Sequence, residues 1–418
     1  MVRRNYYHEK LDKLKDTDDV KIITGVRRSG KTHFLKEYMN ELKKIGVPDS
    51  NIIYISFESN RYNNVKDNES LNKIIEEKIE GLDGKLYLFF DEIHKVHDWE
   101  LSINGYRVDL DADIYVTGSY GQMLSGINST VLSGRYVRMH MYPFSFNELL
   151  DYYRFDENME IDGTTEMKIF NEFLNYGSFP GVRKYAGHDE KIDYLSDIYD
   201  SIMLKDIIEI NSIGSVDLFR RLMEFMVTNI GNLFSANSIA KYLKRENRLK
   251  KRKKEKKKQV NPSTNTVIDY IRYAVDAYLL YEVKREDLKG KKILQTLEKY
   301  YVVDQGFYYL FHDENERDMG FLLENIVFLE LLKKRYNVTI GKVKNYEVDF
   351  VCKRPGKTFY IQVSESINDP LTREREFNSL EKIDDNYPKY IITTDYVNYS
   401  NNGIIHLNIL DFLKDSIK

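Results

Sequence analysis

A chain of 418 residues is longer than a single hydrophobic core usually serves, and its length predicts roughly two to four domains. Hydrophobic residues make up 42% of the chain and charged residues 31%, a balance typical of packed cores with a well solvated surface. No apolar run approaches the roughly 20 residues that cross a bilayer, so we expect no membrane partner and a cytoplasmic location. The single cysteine, Cys352, excludes an internal disulfide and a zinc site built from several cysteines.

Positive charge is concentrated in one segment of the chain. The formal net charge is -3, yet Lys241–Lys258 contains twelve Lys or Arg and two Glu, a local charge of +10. The rest of the chain is therefore acidic. This asymmetry points to a polyanionic partner more than a uniformly mixed surface would.

The first 145 residues alternate short apolar runs with amphipathic stretches, the pattern of an α/β domain whose parallel sheet is flanked by helices. Pro143 ends this regularity, and the apolar spacings between Phe146 and Ile210 predict helices. We interpret residues 146–214 as a helical lid. The five strands expected before it are Val20–Thr24, Ile52–Phe57, Leu86–Phe90, Ile114–Thr117 and Val137–Met141.

Residues 215–312 show the element order of a winged helix, in which three helical patterns precede two extended segments. The second helix is expected at Ser238–Leu243 and the third at Asn265–Tyr281, with strands at Val283–Leu288 and Lys299–Asp304. The basic run lies between those two helices, and its like charges predict an extended conformation.

Residues 313–418 are expected to form a last α/β domain. A helix at Gly320–Arg335 precedes three apolar segments with the composition of strands. These strands are expected at Glu347–Cys352, Thr358–Val363 and Lys389–Thr394.

The strongest local pattern lies between the first strand and the next helix, and it matches the phosphate loop G-x-x-x-x-G-K-[ST]. Glycines in such a loop let backbone N–H groups turn toward phosphate oxygens, and the helix amino end adds positive potential. We expect Lys31 to contact the β and γ phosphates and Thr32 to bind Mg²⁺. The loop residues are Gly25, Val26, Arg27, Arg28, Ser29, Gly30, Lys31 and Thr32.

The expected strand Leu86–Phe90 is followed by two carboxylates, at the carboxyl ends of the strands, where open α/β sheets bind ligands. We expect Asp91 to hold Mg²⁺ through water and Glu92 to polarise the attacking water as a general base. An ordinary polar strand end is the alternative interpretation of this pair.

Three further side chains are candidates for the same site. Thr117 ends the expected strand Ile114–Thr117 and Ser119 follows it, at a position where a hydroxyl can sense the γ phosphate. A serine that caps a helix near Met123 is an alternative. Arg135 precedes the last strand, and its guanidinium can stabilise transition-state charge in its own subunit or in a neighbour's. A surface ion pair is the competing explanation for Arg135.

Taken together, these motifs resemble those of the AAA-type ATPases of archaea and bacteria that carry a C-terminal domain of unknown function with a restriction-endonuclease-like core. The similarity spans nearly the whole chain and rests on the order of the motifs. It implies ATP as the nucleotide, a P-loop ATPase domain, a helical lid, a winged helix and a nuclease-like domain, and it favours Arg135 as an arginine finger. The motifs that carry it beyond the phosphate loop are Phe90–His94, Thr117–Ser119, Leu132–Arg135, Pro143–Glu148, Tyr176–Pro180, Lys205–Asp206, Lys299–Asp304 and Glu347–Phe350.

Nuclease chemistry of this kind requires acidic residues on a helix and two strands, with a lysine two positions after the last acid. Glu324 and Asp349 match the first two places, but Gln362 replaces the third acid and Ser364 replaces the lysine. Serine cannot supply the lost positive charge. We therefore expect a degenerate nuclease-like domain that serves binding or assembly rather than cleavage.

The basic run lies where the recognition helix of a helix-turn-helix begins, which makes duplex DNA the expected partner. An arm of this charge neutralises several phosphates and gives an affinity that falls steeply with salt. A solvated insertion and docking on the protein's own acidic surface are the alternatives. The cations concerned are Lys250, Lys251, Arg252, Lys253, Lys254, Lys256, Lys257 and Lys258.

Two classes of function follow, and both use the nucleotide. In the first, an ATP-driven enzyme holds duplex DNA through its winged helix and basic arm while hydrolysis does work. In the second, a slow nucleotide switch senses its γ phosphate and controls assembly with a protein partner through the terminal domain. The sequence leaves open whether the chain forms an oligomer.

Overall fold

The computed structural model describes the backbone of residues 3–119, 131–252, 261–290, 292–312, 318–414 and 417. Within these ranges, no helix is both long enough and apolar enough to span a membrane. The chain folds into two compact units, residues 1–143 with 276–278 and residues 144–275 with 279–418.

The first unit contains a five-stranded sheet in which every pairing is parallel, as the sequence predicts. Its strands are β1 (Val20–Thr24), β2 (Ile52–Ser56), β3 (Leu86–Asp91), β4 (Ala112–Gly118) and β5 (Tyr136–His140). The order is β2-β3-β4-β1-β5, so β1 lies between β4 and β5.

Strand β3 shows why this sheet is recognisable from apolar runs. Side chains alternate between the two faces of a strand. Accordingly, Leu88 and Phe90 enter one core, whereas Phe89 enters the other and stacks on Tyr115 at 4.6 Å between ring centroids. A strand that is buried on both faces therefore appears as a continuous apolar run.

Helices cover both faces of this sheet. They are α1 (Asn5–Leu14), α2 (Lys31–Lys44), α3 (Asn68–Ile79) and α4 (Trp99–Asp109). Helix α1 has no counterpart among the expected elements. It is fixed to α2 by Tyr7 and Leu11, which share a core with Phe34, and by His8 Nδ1, which lies 2.8 Å from Glu41 Oε2.

The second unit begins with the helices expected between residues 146 and 214. These are α5 (Phe146–Asp151), α6 (Gly163–Tyr176) and α7 (His188–Ser201), with π-helical turns at Tyr152–Asp156 and Ile202–Ile208. Ser145 Oγ accepts from Glu148 N at 3.1 Å, and Glu148 Oε2 accepts from Ser145 N at 2.8 Å. This capping box explains the motif Pro143–Glu148 as a helix start.

The remainder of the unit combines helices with one eight-stranded sheet. The helices are α8 (Val216–Thr228), α9 (Ala236–Arg252), α10 (Thr264–Asp276), α11 (Gly306–Tyr309), α12 (Met319–Lys333), α13 (Pro370–Glu381) and α14 (Ile409–Leu413). The strands are β6 (Leu233–Phe234), β7 (Leu280–Asp287), β8 (Lys292–Val302), β9 (Asn337–Val343), β10 (Tyr346–Arg354), β11 (Lys357–Val363), β12 (Lys389–Thr393) and β13 (Ile404–Asn408).

The sheet has the order β13-β12-β11-β10-β9-β7-β8-β6. Strand β7 pairs in parallel with β9, so strands from both sides of the boundary expected at residue 312 lie in one sheet. That boundary therefore does not separate two sheets. Pairing satisfies backbone N–H and C=O groups that would remain open along the edge of an isolated hairpin.

Two expectations in this region are wrong. The third helix ends at Asp276 rather than at Tyr281, because Tyr278 adopts a φ of +58° and Leu280 already begins β7. The second helix continues from Leu243 to Arg252, so the first part of the basic run is helical rather than extended. Each residue added to a formed helix gains a backbone hydrogen bond, and Lys and Arg are good helix formers, so propagation outweighs charge repulsion here.

Asp304 joins two of the sequence motifs. Its carboxylate accepts hydrogen bonds from Ser178 N at 2.7 Å, Ser178 Oγ at 2.8 Å and Gly306 N at 2.9 Å. Burial raises the pKa of Asp304 despite these bonds. Gly177 has a φ of +68°, and a Cβ added there would lie 1.5 Å from Asp304 Oδ1. The glycine is therefore required both by its backbone conformation and by this close approach.

Gly177→Ala is expected to lower the free energy of unfolding by about 3 kcal/mol, because it adds left-handed backbone strain and displaces Asp304 from its buried donors. Gly356→Ala is the matched control, since Gly356 has a φ of +75° with nothing within 4 Å of an added Cβ. The control is expected to lose only about 1 kcal/mol. Urea unfolding of both variants measures the difference, and equal losses would show that the Asp304 contact adds nothing.

Candidate functional site

The phosphate-loop segment connects β1 to α2 and leaves little space around its backbone. Gly25 has a φ of +150°, and a Cβ added there would lie 2.1 Å from Met141 O. Gly30 has a φ of +102° and stands immediately before α2. Ser29 Oγ is buried without a hydrogen-bond partner among the described atoms. The loop thus has the glycine positions and the open polar group expected of an anion site.

Lys31 turns back over the loop. Its Nζ donates hydrogen bonds to Gly25 O at 2.9 Å, Val26 O at 3.2 Å and Ser119 Oγ at 2.8 Å. The side chain is only 4% exposed. An ammonium held at the mouth of the loop can exchange these neutral acceptors for phosphate oxygens.

Asp91 is the hydrogen-bonding centre of the site. Its Oδ2 accepts from Thr32 Oγ1 at 2.8 Å and from Tyr54 OH at 3.0 Å, while Oδ1 accepts from Thr117 Oγ1 at 2.6 Å. These donors come from α2, β2 and β4. One buried carboxylate therefore positions residues from three elements.

Glu92 lies next to this centre in a left-handed conformation, with a φ of +57°. Its backbone N donates to Thr117 Oγ1 at 2.9 Å, and its Oε1 accepts from Ser119 Oγ at 2.7 Å and lies 3.8 Å from Lys31 Nζ. Burial acts to raise the pKa of Glu92, but the positive charge of Lys31, supported by His94, lowers it overall. Glu92 is therefore an ionised carboxylate that can accept a proton.

The residues present fit a magnesium ion. The Thr32 hydroxyl and the Asp91 carboxylate are 2.8 Å apart and supply the hard oxygen ligands that Mg²⁺ prefers. Throughout the described ranges, no three His, Cys, Asp or Glu side chains converge in a way that could hold a metal. Mg²⁺ usually takes one or two protein oxygens and completes its shell with water and phosphate.

The structure adds two residues that the sequence pattern does not reveal. Arg4 is 4% exposed, and its Nη1 donates to Ser29 O at 3.1 Å and to Tyr142 O at 2.9 Å. Tyr54 contributes the phenol that contacts Asp91. Neither residue stands in a recognisable motif, because each reaches the site only through the fold.

The two arginines of the loop lie at its periphery. Arg27 Nη1 is 3.4 Å from Glu58 Oε1, and the Arg27 side chain is largely buried. Arg28 is exposed and has a φ of +66°.

Arg135 lies at the amino-terminal ends of the strands, whereas the phosphate-loop segment lies at their carboxyl ends. Strands β1 and β5 are parallel and begin together, with Val20 paired to Tyr136 and Val20 N donating to Arg135 O at 3.0 Å. The phosphate loop follows the other end of β1. The Arg135 guanidinium instead donates to Asn104 Oδ1 at 3.0 Å. The register therefore places Arg135 at the end of the strands opposite to the phosphate-loop segment of its own chain.

The residues at the four nuclease-like positions lie around one cavity. Glu324 on α12, Asp349 on β10, Gln362 on β11 and Ser364 after β11 all line one cavity of about 520 Å³. Ser364 Oγ is directed to Ser366 O, at 3.2 Å.

The basic arm is described only in part. Lys250, Lys251 and Arg252 end α9, but their side chains are not described, and the cations at 253–258 lie outside the described residues, as does the helix expected near Met123. After the arm, Ser263 Oγ accepts from Thr266 N at 3.0 Å and caps α10. That hydroxyl has a structural role at a helix start.

Comparison with known families identifies two regions of the chain. A family model described as an AAA domain matches residues 17–150, and one described as a domain of unknown function (DUF8612) matches residues 167–317. The chain is 34% identical over 414 residues to an uncharacterized protein of Haemophilus influenzae, covering 99% of this chain and 98% of that protein. It is 30% identical over 399 residues to an uncharacterized protein of Methanocaldococcus jannaschii, covering 94% and 85%.

Solved structures show more distant similarity. The Orc1 protein of Aeropyrum pernix, in complex with DNA, has 11% identity and a TM-score of 0.34 over 80% of this chain and 94% of that one. A RuvB mutant of Thermotoga maritima has 16% identity and a TM-score of 0.31 over 68% and 90%. At these values the similarity concerns the fold alone.

Proposed function

We propose, on the premise that this chain belongs to the AAA-type P-loop ATPase family together with its Haemophilus and Methanocaldococcus relatives, that it binds ATP with Mg²⁺ and hydrolyses it. One observation carries the proposal. Lys31, Thr32, Asp91, Glu92 and Ser119 converge at the carboxyl ends of β1, β3 and β4, where open α/β sheets bind ligands.

Each residue has a distinct role in this proposal. The N–H groups of the loop and the Lys31 ammonium bind phosphate oxygens, while Thr32 and Asp91 hold Mg²⁺, which supplies charge neutralisation at the γ phosphate. Glu92 accepts the proton of the attacking water. Ser119 bridges Lys31 and Glu92, so a γ phosphate that draws Lys31 away also alters the contacts of the base. This bridge supports Ser119 as a sensor.

Lys31→Ala is expected to weaken ATP binding about 10- to 100-fold, because a charge-assisted contact is lost. Glu92→Gln is expected to retain ATP binding and to lower kcat at least about 100-fold. Binding of a fluorescent ATP analogue and release of phosphate separate the two effects. Lys44→Ala, an exposed lysine at the far end of α2, is the control and is expected to change neither quantity. Equal turnover by Glu92→Gln and the wild type would remove Glu92 as the base.

We further propose that Arg135 serves the nucleotide site of a second copy of the chain. The β1–β5 register supports this choice, because it places Arg135 at the edge away from its own phosphate loop. A guanidinium supplied by a neighbour can stabilise charge that develops on the transferred phosphate.

Arg135→Ala is expected to lower kcat about 10³-fold while ATP affinity is retained. An equal mixture of Arg135→Ala and Lys31→Ala is expected to recover part of the turnover, since one variant supplies the intact site and the other the arginine. Phosphate release by each variant and by the mixture is the measurement, with the exposed Arg61→Ala as control. Variants that co-assemble without recovering turnover would contradict action between subunits.

We propose duplex DNA as the partner on which ATP hydrolysis acts. Helices α8, α9 and α10 are followed by the β7–β8 hairpin, and β6 pairs with β8, which is the element order of a winged helix. The cations that follow α9 supply the charge for phosphate contacts.

A slow nucleotide switch that acts on a protein partner is the second candidate. The observation that favours it is the bridge from Lys31 through Ser119 to Glu92, which connects the phosphate-binding lysine to the proposed base. In this case turnover is expected to be slow, and duplex DNA is expected to leave it unchanged. Stimulation of turnover by duplex at low salt favours the DNA-dependent enzyme instead.

Deletion of residues 250–258 is expected to weaken duplex binding and to reduce the salt dependence of the affinity, because each lost phosphate contact lowers the slope of log K against log salt by about 0.9. A variant with the same nine residues in shuffled order is the control and is expected to bind as the wild type does, since the contacts follow charge. Fluorescence anisotropy with a labelled duplex across a salt series measures both. An unchanged slope after deletion would leave the arm without a role in binding DNA.

A further inference from the structure

The nuclease-like cavity contains a buried lysine that stands outside the expected nuclease motif. Lys299, on β8, places its Nζ 2.9 Å from Glu324 Oε1, 2.9 Å from Glu347 Oε1 and 3.8 Å from Asp349 Oδ1. The residue is 4% exposed. Tyr301, on the same strand, donates its hydroxyl to Glu324 Oε1 at 2.5 Å. Three acids from α12 and β10 therefore surround one ammonium from β8.

Two further oxygens at the nuclease-like positions accept hydrogen bonds within the protein. Asp349 Oδ2 accepts from Val363 N at 2.8 Å. Gln362 Oε1 accepts from Asp349 N and from Ser379 Oγ, each at 3.3 Å. In the described part of the chain, no three His, Cys, Asp or Glu side chains form a set that could hold a metal. With an ammonium among these acids, and with Gln362 and Ser364 in place of the third acid and the lysine, the residues present do not fit the metal that nuclease chemistry requires.

We propose that the Lys299 ammonium takes the place of the catalytic metal in this cavity. The cavity therefore does not act as a nuclease site. An ammonium has three donors and no acceptor, and here it faces three carboxylates. Mg²⁺ would need oxygens at about 2.0–2.1 Å and would be repelled by the ammonium already present. Lys299 therefore neutralises the acids that a metal would otherwise neutralise.

The charges support the persistence of this arrangement. Burial disfavours the Lys299 ammonium, but Glu324, Asp349 and Glu347 together raise its pKa above the ordinary value for lysine. Burial and the neighbouring Glu324 raise the pKa of Asp349, while Lys299 opposes that rise. Removing the ammonium would leave buried carboxylates without a cation.

The same cluster connects β8 to α12 and to a non-adjacent strand, β10, of the eight-stranded sheet. Lys299 belongs to β8, Glu324 to α12, and Glu347 and Asp349 to β10, so one ion cluster connects three elements. Acids outnumber bases around the cavity, which disfavours the approach of a phosphodiester. This inference does not depend on ATP hydrolysis or on DNA binding elsewhere in the chain.

The first test compares Mn²⁺ binding by the wild-type full-length chain and by Asp349→Asn, using electron paramagnetic resonance without nucleotide. The same number of bound ions is expected for both, because no ion binds at Asp349. One additional ion in the wild type would overturn the proposal. Other Mn²⁺ sites, including the one at Asp91, are common to both proteins and cancel in the comparison.

The second test removes the ammonium. Lys299→Ala is expected to lower the thermal unfolding midpoint by roughly 5–10 °C, and Mn²⁺ is expected to restore part of the loss. The double variant Lys299→Ala with Asp349→Asn is expected to lose this rescue. Lys353→Ala, which breaks the partly exposed pair with Glu286 on the same sheet, is the matched control and is expected to show no Mn²⁺ effect.

An unfolding midpoint that Mn²⁺ leaves unchanged in Lys299→Ala would overturn the assignment. Plasmid nicking by the wild type with Mg²⁺ or Mn²⁺, abolished both in Lys299→Ala and in Asp349→Ala, would also overturn it and would make Lys299 a catalytic lysine. If Lys299→Ala does not fold, the comparison of Mn²⁺ binding with Asp349→Asn still decides the question.

Discussion

The arrangement of the nucleotide site depends on one buried carboxylate. Asp91 is 1% exposed, and a buried charge is tolerated only where hydrogen bonds replace the water it has lost. Thr32, Tyr54 and Thr117 provide those bonds from α2, β2 and β4. The hydrogen bonds to the Asp91 carboxylate therefore also position the start of α2 and the neighbouring strands. They position Glu92 as well, because it is the next residue in the chain.

A buried carboxylate in the second unit also requires donors, but there the donor is a charged group. The donors to Asp91 are neutral hydroxyls, which a metal ion can displace without repulsion. Asp349 instead faces the ammonium of Lys299, which already occupies the centre of its acidic cluster. This difference between neutral and charged donors is the reason that we propose a magnesium site at Asp91 and none at Asp349.

The sequence predicts a strand well where burial on both faces leaves a run of apolar residues. It predicts a strand less well where pairing with neighbouring strands decides its position. Strands β1 and β3 are buried along their whole length and match their expected ranges closely. Strand β9, Asn337–Val343, carries polar residues and a glycine, and its place depends on pairing with β10 and β7. The end of α10 likewise depends on Tyr278, whose left-handed conformation does not follow from composition.

By itself, the sequence determined the phosphate-loop pattern, the acids at the end of β3 and the parallel sheet of the first unit, because these signals lie within short stretches of chain. Only the tertiary structure decided that Arg4 and Tyr54 contact the nucleotide site, that Arg135 lies at the opposite edge, and that Lys299 enters the nuclease-like cavity. The physical reason is that each of these contacts joins residues far apart in the chain. Their meeting is set by sheet order and strand register, which a linear pattern does not encode.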